Sequence, residues 1–473
     1  MTSSPKGSVS MPLGHTSPNI PRSPARAVAL AVLLACRLGD KTLDDELEKQ
    51  AVDGKLDVRD RSLAMELVYG TLRRQETIDW RLEPVLKRPL PRLPVVVQMV
   101  LRLGAYQLLC LDRIPPSAAV DESVRLAKSY AGQLRCDWSG FVNAVLRNLI
   151  RAPKSALPDP NLDSARALSV RYSVPRWLCQ RWIDRLGFDQ AEVACLAAGT
   201  VPAVTLRVNR LQMTREQFLD QLKQGGVVAS PTAVSPVGVV LEQGKVITSL
   251  PGFQNGDFYV EDEAAQLIPL LLDPQPGDRV LDVCAAPGGK TTHMAALMQN
   301  HGEILALDRN ADRLKLVDEN CRRLGIAITR TMRADAATSL LSVSQGRRFD
   351  RILVDAPCSG LGVLRRHPEA RGAKHEVMFA RHHRIQTQIL DAAASVLRPG
   401  GVLVYSTCST EREETEDVIG SLCRMSSDWV RESVEPWLPS PALPFVTAQG
   451  ALSTMSNRFG MDGFYAARLR KVS

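Results

Sequence analysis

Two cysteines of this chain stand where a thiol can act. Cys358 lies in Asp355-Ala-Pro-Cys-Ser359, after the apolar run Arg351–Val354, and Cys408 lies in Ser406-Thr-Cys-Ser409, after Val402–Tyr405. Both runs read as buried strands. Both thiols therefore leave strand carboxyl ends, whereas a structural cysteine more often sits inside a strand or helix. A thiolate there is a nucleophile that can form a covalent intermediate and divide one hard step into easier ones. A third strand, Arg279–Cys284, ends in Asp282-Val-Cys-Ala-Ala-Pro-Gly-Gly-Lys290. Gly288 and Gly289 lack a Cβ, which lets the backbone approach a ligand closely. The loop departs from the G-x-G-x-x-G dinucleotide pattern.

Acids lie beyond that loop at informative distances. Asp308 ends the next strand about 20 residues on, where a carboxylate suits ribose hydroxyls. Asp335 comes after a third expected strand and is positioned for an adenine or its amine. Methylation of cytosine is one reaction that would need a thiolate beside a nucleoside-bearing cofactor. Carbon 5 of cytosine is a poor nucleophile, but a thiolate added to carbon 6 makes it an enamine carbon able to take a methyl group. The addition needs a proton for the ring nitrogen, and Asp355 is placed to supply it. A base must then remove the carbon 5 proton so that the thiol can leave, and a second cysteine can assist. Position alone leaves Cys358 and Cys408 equal candidates for the nucleophile.

The elements that carry these turns alternate strand and helix from residue 277 to 473, the pattern of a parallel doubly wound sheet. Arg279–Cys284, Glu303–Leu307, Arg351–Val354 and Val402–Tyr405 are strands. Thr291–Gln299, Ala311–Leu324 and Ile385–Leu397 are helices, the last stopped by Pro399-Gly400-Gly401. Upstream, Val204–Val208 and Val237–Leu241 read as strands around a helix Thr214–Gly225, with a helix Glu261–Leu272 after them. Residues 26–151 read as all helix, with Thr42 a candidate N-cap for Leu43–Gln50. The expected division is 1–25 an unstructured tail, 26–151 a helical domain, 152–200 a Pro-rich linker and short helices, 201–262 a small α/β subdomain, and 263–473 a Rossmann-like core.

Composition bounds the function class. With 473 residues, 45% of them hydrophobic and 23% charged, the chain suits a multidomain globular protein. The most apolar stretch, Leu93–Leu111, contains Gln98 and Arg102 and reads as a buried amphipathic helix, so no membrane span is expected. Met1–Pro24 is Ser/Pro-rich without the apolar segment of an export signal, so a cytoplasmic location is expected. The ten cysteines include no C-x-x-C pair, which disfavours a zinc ribbon and predicts free thiols. The formal charge is +8, and Arg365–Arg384 carries six Lys/Arg against two Asp/Glu. Such a bias suits a polyanion partner, and Arg365 and Arg366 are expected to hold RNA phosphates. The histidines 367, 375, 382 and 383 lack a convincing ligand spacing, so no metal is expected.

The segments CAAPGGKTTHMA (284–295), DAPCSGLGVLRRHPE (355–369), STCS (406–409) and DGFYAARL (462–469) resemble the Nol/Nop/Sun family of RNA 5-methylcytosine methyltransferases. LRVN (206–209) and GDFYVEDEAAQL (256–267) resemble that family's lead-in, while RDRSLAMELVYGTLRR (59–74) and RLGAYQLL (102–109) resemble the RNA-binding NusB domain. The resemblance implies an all-α NusB-like domain, a small α/β subdomain and an α/β Rossmann-like methyltransferase core. It implies S-adenosyl-L-methionine as cofactor, held by Cys284, Ala285, Ala286, Pro287, Gly288, Gly289, Lys290, Asp308, Asp335 and Asp355. It makes Cys408 the nucleophile and links Cys358 to product release. The domain order implies 16S ribosomal RNA as substrate; a monomer is expected. The chain departs from the family's pattern at Glu261-Asp262, Arg371-Gly372 and Glu413-Glu414-Thr415. A transfer-RNA methyltransferase, a catalytically silent ribosome-assembly binder and a nicotinamide oxidoreductase on the same sheet type are the rival readings.

Overall fold

The computed structural model describes residues 23–38, 43–153, 156–242, 246–338, 340–454 and 460–472. The candidate N-cap Thr42 and most of the Ser/Pro-rich start lie outside them. The chain divides into two compact units, Met1–Arg181 and Trp182–Ser473, and the helix Arg176–Leu186 spans the boundary.

The first unit is helical. Its central helix, Val95–Cys110, is buried on nearly all faces rather than on one stripe. The two polar residues in its middle are satisfied. Gln98 donates to the Leu93 carbonyl at 2.8 Å, and Arg102 donates to both carboxylate oxygens of Asp79 at 2.8 and 2.7 Å. Around it pack Pro24–Leu38, Val58–Arg73, Pro116–Ser129 and Ser139–Arg151, each offering an apolar face to one shared core. Asp57 starts the helix Val58–Arg73 by accepting from the Asp60 amide.

The second unit holds two sheets. The smaller comprises β1 (Thr205–Val208), β2 (Ala229–Pro231), β3 (Gly238–Leu241) and β4 (Phe258–Val260), antiparallel in the order β2-β3-β1-β4. A helix, Arg215–Gln224, packs on it and begins with a capping box between Thr214 and Gln217. The strands β2 and β4 are three residues each, too short to show a period, and were not expected from the sequence.

The larger sheet comprises β5 (Arg279–Asp282), β6 (Glu303–Asp308), β7 (Thr329–Arg333), β8 (Phe349–Asp355), β9 (Leu397–Thr407), β10 (Trp429–Glu432), β11 (Leu452–Ser453) and β12 (Tyr465–Lys471). The order is β10-β12-β9-β8-β5-β6-β7, with β11 beside β12. From β9 to β7 the strands are parallel, but β12 joins β9 antiparallel and β10 joins β12 antiparallel. The expectation of a wholly parallel sheet is corrected here. Tyr465–Leu469 is buried on both faces, so it carries no alternation that would have marked it as a strand. Pro399-Gly400-Gly401 also lies inside β9 rather than in a helix stop, because the preceding helix, Val377–Val396, already ends before Leu397. The strand order reverses at β5, whose neighbours are β6 and β8. Ligands bind at such a switch point, at the strand carboxyl ends.

Candidate active site

The loop after β5 is held from both sides. The Val283 amide donates to Leu353 O of β8, and the Ala285 amide to Leu307 O of β6. Gly288 adopts φ +102°, a left-handed conformation that glycine tolerates without cost. A Cβ on Gly289 would meet Glu261 Oε1 at 2.8 Å and the Tyr259 ring at 3.0 Å. Bare backbone therefore keeps open a cleft of about 510 Å³ lined by Tyr259, Glu261, Asp282, Cys284–Pro287, Gly289, Lys290 and Asp355. Asp282 is fully buried, and its Oδ1 has no hydrogen-bond partner, while Thr291 donates to its Oδ2 at 2.6 Å. Burial lifts its carboxyl to about 7 against the Thr291 hydrogen bond. The cleft offers a small ligand a few convergent polar groups, with the unpaired Asp282 Oδ1 within its wall.

Asp308 and Asp335 do not line the cleft. Asp308 is buried at the end of β6 and accepts from the Asn310 amide at 2.9 Å. Asp335 is exposed beyond β7 and accepts from the Ala337 amide at 3.0 Å. Both remain on the same carboxyl rim as the loop.

Tyr259 and Glu261 were missed as site residues. Tyr259 lies in the short β4 and Glu261 directly after it, so a segment that reads as a neighbouring subdomain forms one wall. Arg207 of β1 braces that wall. Its guanidinium donates to Glu261 Oε2 at 2.6 Å, to Gly289 O at 2.5 Å and to Thr292 Oγ1 at 2.8 Å. The LRVN and lead-in segments are the signals that contained these residues.

The cysteine turns meet beside the cleft. Cys358 Sγ and Cys408 Sγ are 3.2 Å apart and both half-buried. The Cys358 thiol is pushed well above its ordinary range, first by its hydrogen bond to Cys408 and then by burial. Either sulfur can be the donor of that hydrogen bond. Lys290 Nζ donates to Asp355 Oδ2 at 2.7 Å, and Ser406 Oγ to Asp355 Oδ1 at 2.7 Å. Burial works against the charge on Lys290, but Asp355, which accepts its hydrogen bond, and Glu261 outweigh it and hold the ammonium protonated. Gly362 lets the two turns close on the chain's last motif. Its amide donates to Cys408 O at 3.0 Å, and a Cβ there would overlap the Gly463 carbonyl oxygen.

Arg365 and Arg366 correct an expectation. Arg365 is buried and donates to Asp462 Oδ1 at 2.5 Å and Asp262 Oδ2 at 3.2 Å; Arg366 donates to Asp462 Oδ2 at 2.5 Å and Asp262 Oδ2 at 2.8 Å. Two arginines spent on two carboxylates are braces between the lead-in and the last motif, not phosphate holders. Arg365→Ala is expected to destabilise the fold by about 3–5 kcal/mol, because it strands buried charge. Denaturant melting reads this, and the salt slope of RNA binding is expected to stay unchanged. The histidines are likewise tied to protein: His382 Nδ1 lies 2.8 Å from Glu414 Oε1 and His383 Nδ1 2.8 Å from Glu413 O. Among the described residues, no group of three or more His, Cys, Asp or Glu is arranged to hold a metal. No described helix is long and apolar enough to cross a membrane.

Comparison with known proteins matches three stretches of the chain to three family models. Residues 269–470 match the family described as 16S rRNA methyltransferase RsmB/F, residues 23–151 the NusB family, and residues 174–248 the ferredoxin-like domain of RsmF/B-like methyltransferases. The chain is 36% identical over 451 residues to the probable ribosomal RNA small subunit methyltransferase B of Bacillus subtilis, covering 95% of this chain and 99% of the relative. It is 37% identical over 450 residues to the ribosomal RNA small subunit methyltransferase B of Pseudomonas syringae, covering 95% and 96%. The crystal structure of PH0851 superposes with a TM-score of 0.80 at 25% identity, over 96% of this chain and 99% of the other. The architecture is a NusB domain, a ferredoxin-like subdomain and a methyltransferase core of mixed sheet.

Proposed function

Because the chain belongs to the RsmB/F family of 16S rRNA methyltransferases, we propose that it methylates carbon 5 of a cytosine in 16S ribosomal RNA through a covalent bond to Cys408. It is an RNA methyltransferase, its partner is RNA, and its cofactor is S-adenosyl-L-methionine. The cofactor supplies an electrophilic methyl group carried on a sulfonium. The loop Cys284–Lys290 and the wall Tyr259–Glu261 would hold it, with the open oxygen of Asp282 taking a ligand hydrogen bond. Asp308 and Asp335, on the same rim, are assigned to its ribose and adenine ends.

The likeness of Ser406–Ser409 to the family's motif carries the choice of Cys408 as nucleophile. A thiol that keeps its proton cannot attack, and the Cys358 thiol is pushed well above its ordinary range by its hydrogen bond to Cys408 and by burial, which supports that choice. Cys408 also lies within the electrostatic reach of the Lys290 ammonium, and a nearby cation suits an attacking thiolate. Attack by Cys408 on carbon 6 drives charge onto the ring nitrogen. Asp355 is the group that hands a proton there, and since it already accepts from Lys290, the Lys290–Asp355 pair is the proton store. After carbon 5 is methylated, its proton must leave before the carbon–sulfur bond can break. Cys358, beside Cys408, assists that release.

The base must be unstacked to expose carbon 6. The test is to incubate the purified protein with methyl-labelled cofactor and small-subunit ribosomal RNA, digest to nucleosides and separate them. Label is expected in 5-methylcytidine. Label confined to another nucleoside, or found only with transfer RNA, would overturn the assignment.

A further inference from the structure

One buried carboxylate outside the reaction described above ties the two cysteine turns together. Glu414 is fully buried in the short helical turn Arg412–Glu414. Its Oε1 accepts from the Ser359 amide at 2.7 Å and lies 2.8 Å from His382 Nδ1. Its Oε2 accepts from the hydroxyls of Ser359 and Ser409, each at 2.5 Å. Ser359 is the residue after Cys358, and Ser409 is the residue after Cys408. The Glu414 carbonyl accepts from the Tyr405 hydroxyl at 2.8 Å, which anchors it to β9 just before the second turn. Three elements thus converge on one side chain: the turn after β8, the turn after β9 and the helix Val377–Val396.

Buried hydrogen bonds to a charged acceptor are the strong kind. Burial would lift the Glu414 carboxyl, but His382 and the two serines hold it below the ordinary carboxylate range. It is therefore an anion with both oxygens used, and each partner that moves leaves it poorly satisfied. The two sulfurs sit 3.2 Å apart on separate turns. Their separation depends on where the next residues are pinned.

We propose that Glu414 is a positioning residue for this reaction, fixing Cys358 against Cys408 by holding the residue after each to a single carboxylate. This rests on the reading that the two sulfurs act in turn on the base. Neither Glu414 nor its serine partners line the cofactor cleft, so cofactor affinity is independent of the clamp. A geometric clamp also has a distinctive replacement. Glutamine keeps one oxygen for the Ser359 amide, and its amide nitrogen can donate to the serine hydroxyls, which also accept.

The experiment measures kcat, KM for RNA and Kd for S-adenosyl-L-methionine in Glu414→Ala and Glu414→Gln. A misplacement of about 1 Å between reacting groups costs on the order of 100-fold. Glu414→Ala is expected to lose about that much kcat, with cofactor Kd within about twofold, and Glu414→Gln to recover to within about tenfold of the parent. A folded Glu414→Ala with kcat within about threefold of the parent overturns the proposal. So does a Glu414→Gln as impaired as Glu414→Ala, because charge would then matter and geometry would not. If Glu414→Ala does not fold, the double variant Ser359→Ala, Ser409→Ala removes the hydroxyl ties and keeps the Ser359 amide bond. Its kcat is expected to fall about tenfold or more, and an unchanged kcat overturns the proposal. A parent protein that forms no Cys408 adduct sinks the underlying reading instead, so the two failures are separable.

Discussion

Cys408→Ala is expected to abolish methyl transfer, by a factor on the order of 10⁴ or more, and to form no denaturation-resistant complex with RNA. The size comes from the role. Without a sulfur on carbon 6, carbon 5 stays a poor nucleophile, and no proton donor nearby compensates. Cys358, assigned to product release, is not expected to substitute as the attacking group. The fold should tolerate the change, because Cys408 is half-buried and only its sulfur is lost. Cofactor binding in the cleft should be unaltered. Gel electrophoresis after denaturation with labelled RNA, alongside a methyl-transfer assay, gives both readouts. A Cys408→Ala protein that still forms the adduct would remove Cys408 from the role.

Cys358→Ala is expected to do the opposite. It leaves the nucleophile intact and stalls release, so turnover falls by about 10²–10³-fold while the RNA adduct accumulates. The accumulated adduct should approach one per protein and should need both cofactor and Cys408. The double variant Cys358→Ala, Cys408→Ala is then expected to show none. The loss of one hydrogen bond from Cys408 also frees its sulfur, so the first attack is not expected to slow. An adduct absent from Cys358→Ala and present in Cys408→Ala would exchange the two roles.

The predictions on Arg365 and Glu414 come from tertiary contacts that spacing along the chain does not reveal. Arg365 and Arg366 sit in a basic, His-containing stretch, which suggests phosphate contact. Their carboxylate partners, Asp262 and Asp462, lie about 100 residues away in either direction. A charge count taken locally sees the arginines without the acids that neutralise them. Glu414 is visible in the sequence only as a member of Glu413-Glu414-Thr415. Its worth as a clamp depends on Ser359, 55 residues earlier, and on His382, 32 residues earlier.

Local sequence was enough to define the chemistry available: two strand-end thiols, an acid three residues before one of them, and a bare-backbone loop ending a third strand. A strand with a short turn after it places its own residues at the sheet rim, so no distant contact is needed to read them. The helical first unit was legible from long apolar-rich segments bounded by Pro-bearing joints, although its central helix, Val95–Cys110, is buried on nearly all faces. How the rims meet is a property of the folded chain. The order β9-β8-β5-β6 brings Cys408, Cys358 and Asp355 to adjacent strand ends beside Lys290, which opens the helix Gly289–Leu297 after β5, and β4 folds back to wall the cleft with Tyr259 and Glu261. Folding also supplies the asymmetry between the cysteines. Sequence position makes Cys358 and Cys408 equivalent, whereas the upward push on the Cys358 thiol comes from its contact with Cys408 and from burial, and those exist only once the chain has folded.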